Sequence, residues 1–140
     1  MQKLNPRQLM KLLLTLSGLR STEAAKKINK SKATWERWSR NNDICIRQLN
    51  NLSIALEIPI ELEIGENKYS LNLFRKYIFQ LHELKGVTIE GAAEKIGIPT
   101  STLKARIYRN SCKLGHVSEH FEALDEELIL TINHNKYQIV

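Results

Sequence analysis

Apolar residues recur every three to four positions along most of the chain, and twice this period gives way to alternation. The helical spacing predicts helices over 6–17, 22–28, from 31 onward and over 46–56, and again over 73–85, 89–96, from 99 onward and over 114–124. Alternating positions predict strands over 60–64 and 128–132, each followed by a turn and a returning strand that begins at Tyr69 or Tyr137. We also expect Asn72 to cap the helix that follows it.

The two halves of the chain are copies of one unit. Residues 24–69 recur as residues 92–137 at a fixed offset of 68 positions, with AAKKI matched by AAEKI and NKY matched by NKY. A repeat of this length indicates one supersecondary unit used twice. We therefore predict a mainly α fold with small β-hairpins (α+β), divided into a first domain over 1–71 and a second over 72–140.

A tight turn joins the second and third predicted helices of each unit. Asn29 and Gly97, which both tolerate a left-handed backbone, occupy the turn, and Ala25 and Ala93 supply a small residue where the two helices cross. This arrangement is typical of a helix-turn-helix, whose second helix enters the major groove of DNA. Apolar side chains should pin that helix to its domain: Ile28, Trp35 and Trp38 in the first unit, and Ile96, Ile98 and Leu103 in the second.

The first unit resembles the lambda-repressor-like family, which includes Cro and the xenobiotic-response-element regulators. The resemblance covers residues 22–62, from the TEAAKKINKSKATWERW run through the IRQLNNLSIALEI helix. Asn29, Lys30 and Asn41 depart from the family pattern of glycine, apolar residue and glycine. The second motif, GAAEKIGIPTSTLK, is also similar to pipsqueak-type motifs. Two residues after it, Arg106 stands where the lambda-like pattern expects an apolar anchor, and Ile107 follows.

The resemblance implies which side chains would touch DNA. Base-edge or phosphate contacts would come from Ser31, Lys32, Ala33, Glu36 and Arg37 in the first unit, and from Thr100, Ser101, Lys104 and Tyr108 in the second. Backbone contacts would come from Arg40, Arg47, Arg109 and Lys113. The residue chemistry agrees, because arginine pairs with guanine, a methyl group meets thymine and hydroxyls at helix starts suit phosphate.

Charge is distributed in keeping with a polyanion-binding face. The chain carries a net charge of +6, of which residues 1–70 hold +5 and residues 71–140 hold +1. In both units the basic residues gather around the helix-turn-helix, whereas the acidic residues of the second unit gather at 119–127. Such a distribution favours nucleic-acid binding, and a solvated lysine-rich surface is the alternative.

A few other residues are candidates for base stacking, metal binding or catalysis. The spacing of Trp35 and Trp38 places both on the inner face of their helix, so we expect a core role. Cys112, His116 and His120 lie along one helical stripe, but three ligands on one straight helix lie too far apart for one ion, so we predict no metal and no cofactor. No catalytic constellation appears at a suitable spacing, and no membrane span appears, so we expect a cytoplasmic protein that is not an enzyme.

These features favour a double-stranded DNA-binding transcriptional regulator, a repressor of prokaryotic, phage or mobile-element origin. Because a lone hairpin is marginally stable, we expect the two hairpins to join the domains into a pseudo-dimer whose reading helices lie about 34 Å apart on two dissimilar half-sites. A strand left exposed would alternatively allow a homodimer. The rival hypothesis is a protein-interaction module, such as a phage inhibitor or antirepressor, in which one or both domains bind a protein partner. The acidic patch and the lower net charge of the second domain favour this role for that half.

Overall fold

The fold is mainly helical, and a computed structural model describes it for residues 1–41, 43–109 and 112–140. The first unit contains β1 (Gln2–Leu4), α1 (Pro6–Ser17), α2 (Ser21–Lys26), α3 (Lys32–Asn41), α4 (Ile46–Ala55), β2 (Ile60–Ile64) and β3 (Asn67–Ser70). A 3₁₀ turn over Leu71–Leu73 leads into the second unit. That unit contains α5 (Phe74–Lys85), α6 (Ile89–Ile96), α7 (Thr100–Tyr108), α8 (Leu114–Ala123), β4 (Ile129–Ile132) and β5 (Asn135–Ile139). The predicted α+β class, with four helices and a hairpin used twice, is confirmed.

The first helix is fixed at both ends by local chemistry. The Asn5 side chain accepts a hydrogen bond from the Gln8 backbone, the Gln8 side chain accepts one from the Asn5 backbone, and Pro6 occupies the first turn. These features form a capping box followed by a residue preset for helix. Gly18 ends α1 with φ +70°, a left-handed conformation that a side chain would strain. The predicted bounds of this helix are confirmed.

The predicted link into the second unit was wrong in detail. Asn72 does not cap α5; it lies within the 3₁₀ turn, where its side-chain oxygen accepts a hydrogen bond from the Ser70 hydroxyl at 2.6 Å. The tight turn delays the start of the α-helix to Phe74.

The predicted start of α7 was also wrong by one residue. Pro99 precedes α7 as its N-cap and does not form its first turn, and the backbone there is extended at φ −61° and ψ 145°.

The two hairpins join into one five-stranded sheet with the strand order β1-β5-β4-β2-β3. Strands β2 and β4 pair antiparallel at its centre, with Leu62 opposite Leu130. Those two residues are equivalent under the 68-residue repeat, so the pairing is isologous and its centre marks a pseudo-twofold axis. The expectation that the hairpins join the units is therefore confirmed, and both apolar strands have their full set of neighbours.

A second contact between the units obeys the same axis. In the segments that precede α4 and α8, the Ile46 N–H donates to the Cys112 carbonyl at 3.0 Å, and the Leu114 N–H donates to the Ile44 carbonyl at 2.8 Å. Each bond is the image of the other under the repeat, and the bridge centres on Cys45 opposite Lys113, again an equivalent pair. Two separate contacts thus fix the relative position of the units.

The symmetry breaks at the edges of the sheet. Strand β1 pairs parallel with β5, and its last residue, Leu4, is buried, whereas β3 pairs only with β2. Strand β1 was not predicted, because three residues are too few to display an alternating pattern. The buried apolar side chains of both units, among them Leu9, Leu49 and Phe121, form one connected core. Among the helices of the described residues, none is long and apolar enough to cross a membrane.

The shared core predicts that damage to one unit will destabilise the other. Leu130 is fully buried in the second unit, whereas both tryptophans, Trp35 and Trp38, lie in the first. Leu130→Ala should lower the free energy of unfolding by about 2–5 kcal/mol, measured through tryptophan fluorescence during urea denaturation. Leu84→Ala, at a site that is 77% exposed, serves as the control and should change it by less than about 0.5 kcal/mol. A fluorescence transition unmoved by Leu130→Ala would show that the units unfold independently.

Candidate nucleic-acid interface

The turn between α2 and α3 is built by asparagine. Asn29 adopts φ +58°, and the chain then folds back so that the Lys30 N–H donates to the Ala25 carbonyl at 2.9 Å. The Ile28 N–H also reaches that carbonyl, at 3.1 Å, so α2 ends at Lys26 and not at the predicted residue 28. Asparagine is one of the few residues that enter the left-handed region readily, which explains how this unit dispenses with glycine.

The second unit makes the same turn with glycine. Gly97 adopts φ +85°, and the Ile98 N–H donates to the Ala93 carbonyl at 3.1 Å, the equivalent of the bond in the first unit. Ala25 and Ala93 are both buried where the paired helices meet. Both units therefore present a short helix, a left-handed turn and a second helix, which is the arrangement that the sequence predicted.

Different anchors hold the second helix of each motif. In α3 the rings of Trp35 and Trp38 are 2% and 3% exposed, with centroids 6.3 Å apart, so their predicted core role is confirmed. In α7 the buried residues are Leu103 and Ile107. Ile107 takes the place that Trp38 holds in the first unit, although Arg106 is the residue equivalent to Trp38. The inner face of α7 is thus displaced by one position, as the sequence suggested.

The outer face of α3 remains open. Its predicted contact residues are all exposed: Ser31, Lys32, Ala33, Glu36, Arg37 and Arg40. The Ser31 hydroxyl accepts a hydrogen bond from the Thr34 N–H at 3.2 Å, as expected at a helix start, and Lys32 forms a long ion pair with Glu36 at 3.9 Å. Arg47 is exposed on α4. Within the part of the chain that the structure describes, no neighbouring element buries these side chains.

One carboxylate connects the reading helix of the first unit with the second unit. Asp43 accepts from the Arg37 Nε at 3.0 Å through one oxygen and from the Lys113 Nζ at 2.7 Å through the other. The hydrogen bond from Lys113, together with the charges of both cations, lowers the pKa of Asp43. Arg37 and Lys113 are predicted DNA contacts, but Asp43, which holds these two cations side by side where the units meet, was not predicted.

The outer face of α7 is also open. Ser101, Lys104, Tyr108 and Arg109 are exposed, and Thr100 is half-buried. The Tyr108 ring is 54% exposed. Every contact residue predicted for this unit therefore reaches solvent to some degree.

Tyr108 is held in place from α5. The Arg75 Nη2 donates to the Tyr108 carbonyl at 2.6 Å, the guanidinium carbon lies 5.5 Å from the centre of the ring, and Phe79 packs against the ring at 5.7 Å. Arg75 thus adds a cation at the end of α7. Arg7, on α1, similarly lines a surface depression together with Arg40. Neither arginine was predicted to contact DNA, since both belong to helices outside the motif.

Two residues of the predicted stripe, His116 and His120, lie on α8, and His120 is buried. No group of three potential ligands converges among the residues that the structure describes. His120 instead turns to α5, where its Nε2 lies 2.7 Å from the Nε2 of His82. The His82 Nδ1 lies 2.8 Å from the Val87 carbonyl, which can only accept, so His82 carries its proton there and its Nε2 accepts from His120.

Comparison of the chain with protein-family models, with curated proteins and with solved structures finds no match. The candidate interface consists of the two exposed second helices, α3 and α7. Both carry basic residues at several positions, and they belong to two units related by pseudo-twofold symmetry.

The histidine pair predicts a loss of stability in mild acid. Burial lowers the pKa of His120 to about 4, from an ordinary value of 6.5. Between these pH values the unfolded chain therefore binds a proton at His120 and the folded chain does not. The free energy of unfolding falls by about 3 kcal/mol as the pH drops from about 6.5 to 4. Urea denaturation across this range measures the fall. His120→Gln keeps a donor for His82 but does not titrate, so it should flatten the dependence; an equal slope in both proteins would refute the assignment.

Proposed function

We propose that the protein is a sequence-specific double-stranded DNA-binding transcriptional regulator, a repressor that reads one duplex with α3 and α7 together. The observation that carries this proposal is the pseudo-twofold axis that relates two helix-turn-helix units while the outer faces of both second helices stay exposed. Dimeric readers of this class place two such helices in successive major grooves, and twofold symmetry matches them to the two half-sites. Here one chain supplies both.

The exposed side chains support recognition of two different half-sites. Glu36 and Lys104 occupy equivalent positions on α3 and α7 but carry opposite charges, and Arg37 corresponds to Ala105. A carboxylate accepts from cytosine, and lysine or arginine donates to guanine. The two helices would therefore prefer different bases, and the operator would be an imperfect palindrome.

The positive charge supports affinity for the duplex. The first unit carries most of the net charge, and its arginines on α1, α3 and α4 flank the reading helix. Asp43 keeps Arg37 and Lys113 together, so two cations from different units reach the same region. Cations at such positions neutralise backbone phosphates and release counterions, which supplies the sequence-independent share of binding.

The acidic surface of the second unit keeps the protein-interaction function as the second candidate. Glu119 and Glu122 are half-exposed or exposed along α8 and line a surface depression with Lys95, while Glu126 pairs with Lys85 at 2.9 Å. Carboxylates repel DNA but suit a basic protein surface. Under this alternative the first unit reads DNA and the second unit binds a protein.

Single substitutions on the two reading helices test the proposal. On a duplex selected from a random pool, Arg37→Ala and Lys104→Ala should each weaken binding by roughly 1–3 kcal/mol while leaving the circular dichroism unchanged. Lys68→Ala, which removes an exposed cation from β3, is the matched control and should have a much smaller effect. Fluorescence anisotropy with selected and random duplexes measures all three.

The outcomes separate the hypotheses. An equal loss on selected and random DNA would assign the two side chains to phosphates and not to bases. Loss with Arg37→Ala but none with Lys104→Ala would favour the divided arrangement, with a protein partner for the second unit. Failure to select any preferred duplex would refute sequence-specific binding.

A further inference from the structure

A basic cavity lies beside the second reading helix. It occupies about 230 Å³ between α7 and the start of α8, and its lining includes Thr102 and four basic residues, Arg106, Arg109, Lys113 and His116. No acidic side chain lines it among the described residues. A cavity with this lining is suited to an anion.

The first unit shows why the cavity exists. Arg106 is equivalent to Trp38, whose indole is buried in the core of the first unit, and Ala105 is equivalent to Arg37. The second unit therefore has a small side chain at one position and a charged one in place of a large apolar ring at the next. Because Ile107 takes over the anchoring role, Arg106 is left outside the core at the wall of the cavity.

Arg106 has an unmet hydrogen-bonding requirement. Its Nη1 is buried and has no hydrogen-bond partner among residues 1–41, 43–109 and 112–140. A buried donor without a partner destabilises a fold, and more so on a guanidinium, which stays charged at every relevant pH. Native structures seldom leave such a group unsatisfied, and an anion in the cavity would supply an acceptor once the guanidinium rotates toward it.

The other walls add donors, and the carboxylates of Asp43 and Glu119, whose charges act on His116, lie outside the lining. Lys113 uses one of its three donors on Asp43 at 2.7 Å and keeps two. Burial and the charge of Arg106 lower the pKa of His116, which leaves its neutral ring able to donate one hydrogen bond. Burial raises the pKa of Cys112 to about 11, so its thiol does not ionise near neutral pH.

We propose that this cavity binds the tetrahedral oxyanion of a phosphate group, with the Arg106 guanidinium as its principal donor and Arg109, Lys113 and His116 around it. The inference rests on the proposed function for the source of the phosphate, which is a DNA backbone phosphate next to α7. Free inorganic phosphate shares the same chemistry. The site would anchor α7 against the duplex in a way that the first unit, with Trp38 at this position, does not.

Titration with inorganic phosphate tests the cavity itself. At constant ionic strength, phosphate should shift the ring resonances of His116 in NMR spectra and saturate. Arg106→Leu should weaken this binding about 10- to 100-fold, since it removes charge-assisted hydrogen bonds. Leucine suits the apolar character of the equivalent site, so the variant should keep its tryptophan fluorescence and its thermal midpoint. Lys68→Ala should bind phosphate as the unaltered chain does.

Arg106→Lys provides a second variant that keeps the charge but loses the planar fork, and it should bind phosphate with intermediate affinity. No saturable shift of His116, or equal affinity in the unaltered protein and Arg106→Leu, would overturn the proposal.

Duplexes with single neutral methylphosphonate linkages distinguish the source of the phosphate. One position beside α7 should weaken binding of the unaltered protein but not of Arg106→Leu. Saturable phosphate binding without any duplex binding would overturn the proposed function and leave the anion site standing. Duplex binding that is indifferent to Arg106→Leu and to every single methylphosphonate would overturn the DNA anchor.

Discussion

The antiparallel pairing of β2 with β4 is the interaction on which the rest of the structure depends. Each strand would be the open edge of a two-stranded hairpin, which is marginally stable by itself. Pairing them satisfies both edges and brings Leu62 and Leu130 together on the pseudo-twofold axis. The bridge between Cys45 and Lys113 adds a second point on the same axis, so the two small units are joined at two places.

The symmetry of the scaffold contrasts with the differences on its surface. Three backbone features are the same in both units. They are the hydrogen bonds that cap the turns, the left-handed residues after α4 and α8 (Glu57 and Asp125), and the pairing of the central strands. The side chains that would meet a ligand do not repeat, since Arg106 corresponds to Trp38 and Lys104 to Glu36. A duplicated chain can change one half independently, which a homodimer cannot do, and this accounts for two dissimilar half-sites in the proposed mode of binding.

The sequence predicted what depends on local order. Apolar spacing and the repeat gave the helices, the hairpins and the left-handed turn at Asn29, because helix periodicity and turn chemistry are properties of neighbouring residues. Four features were not predicted from the sequence: β1, the bridging role of Asp43, the contact between His82 and His120, and the cavity at Arg106. Each of these depends on side chains that are distant in sequence, which periodicity cannot pair. The reading residues follow from the family resemblance, and the structure adds that their helix faces stay exposed.

The most direct test of the account is a hydroxyl-radical and major-groove methylation footprint of the intact chain on a selected duplex. The pseudo-twofold arrangement predicts two protected major-groove windows of unlike sequence on one face, with centres one helical turn, about 34 Å, apart. It also predicts that one chain binds each duplex. A single protected window, or two windows that require two chains, would contradict the claim that the joined sheet presents both helices to one DNA molecule.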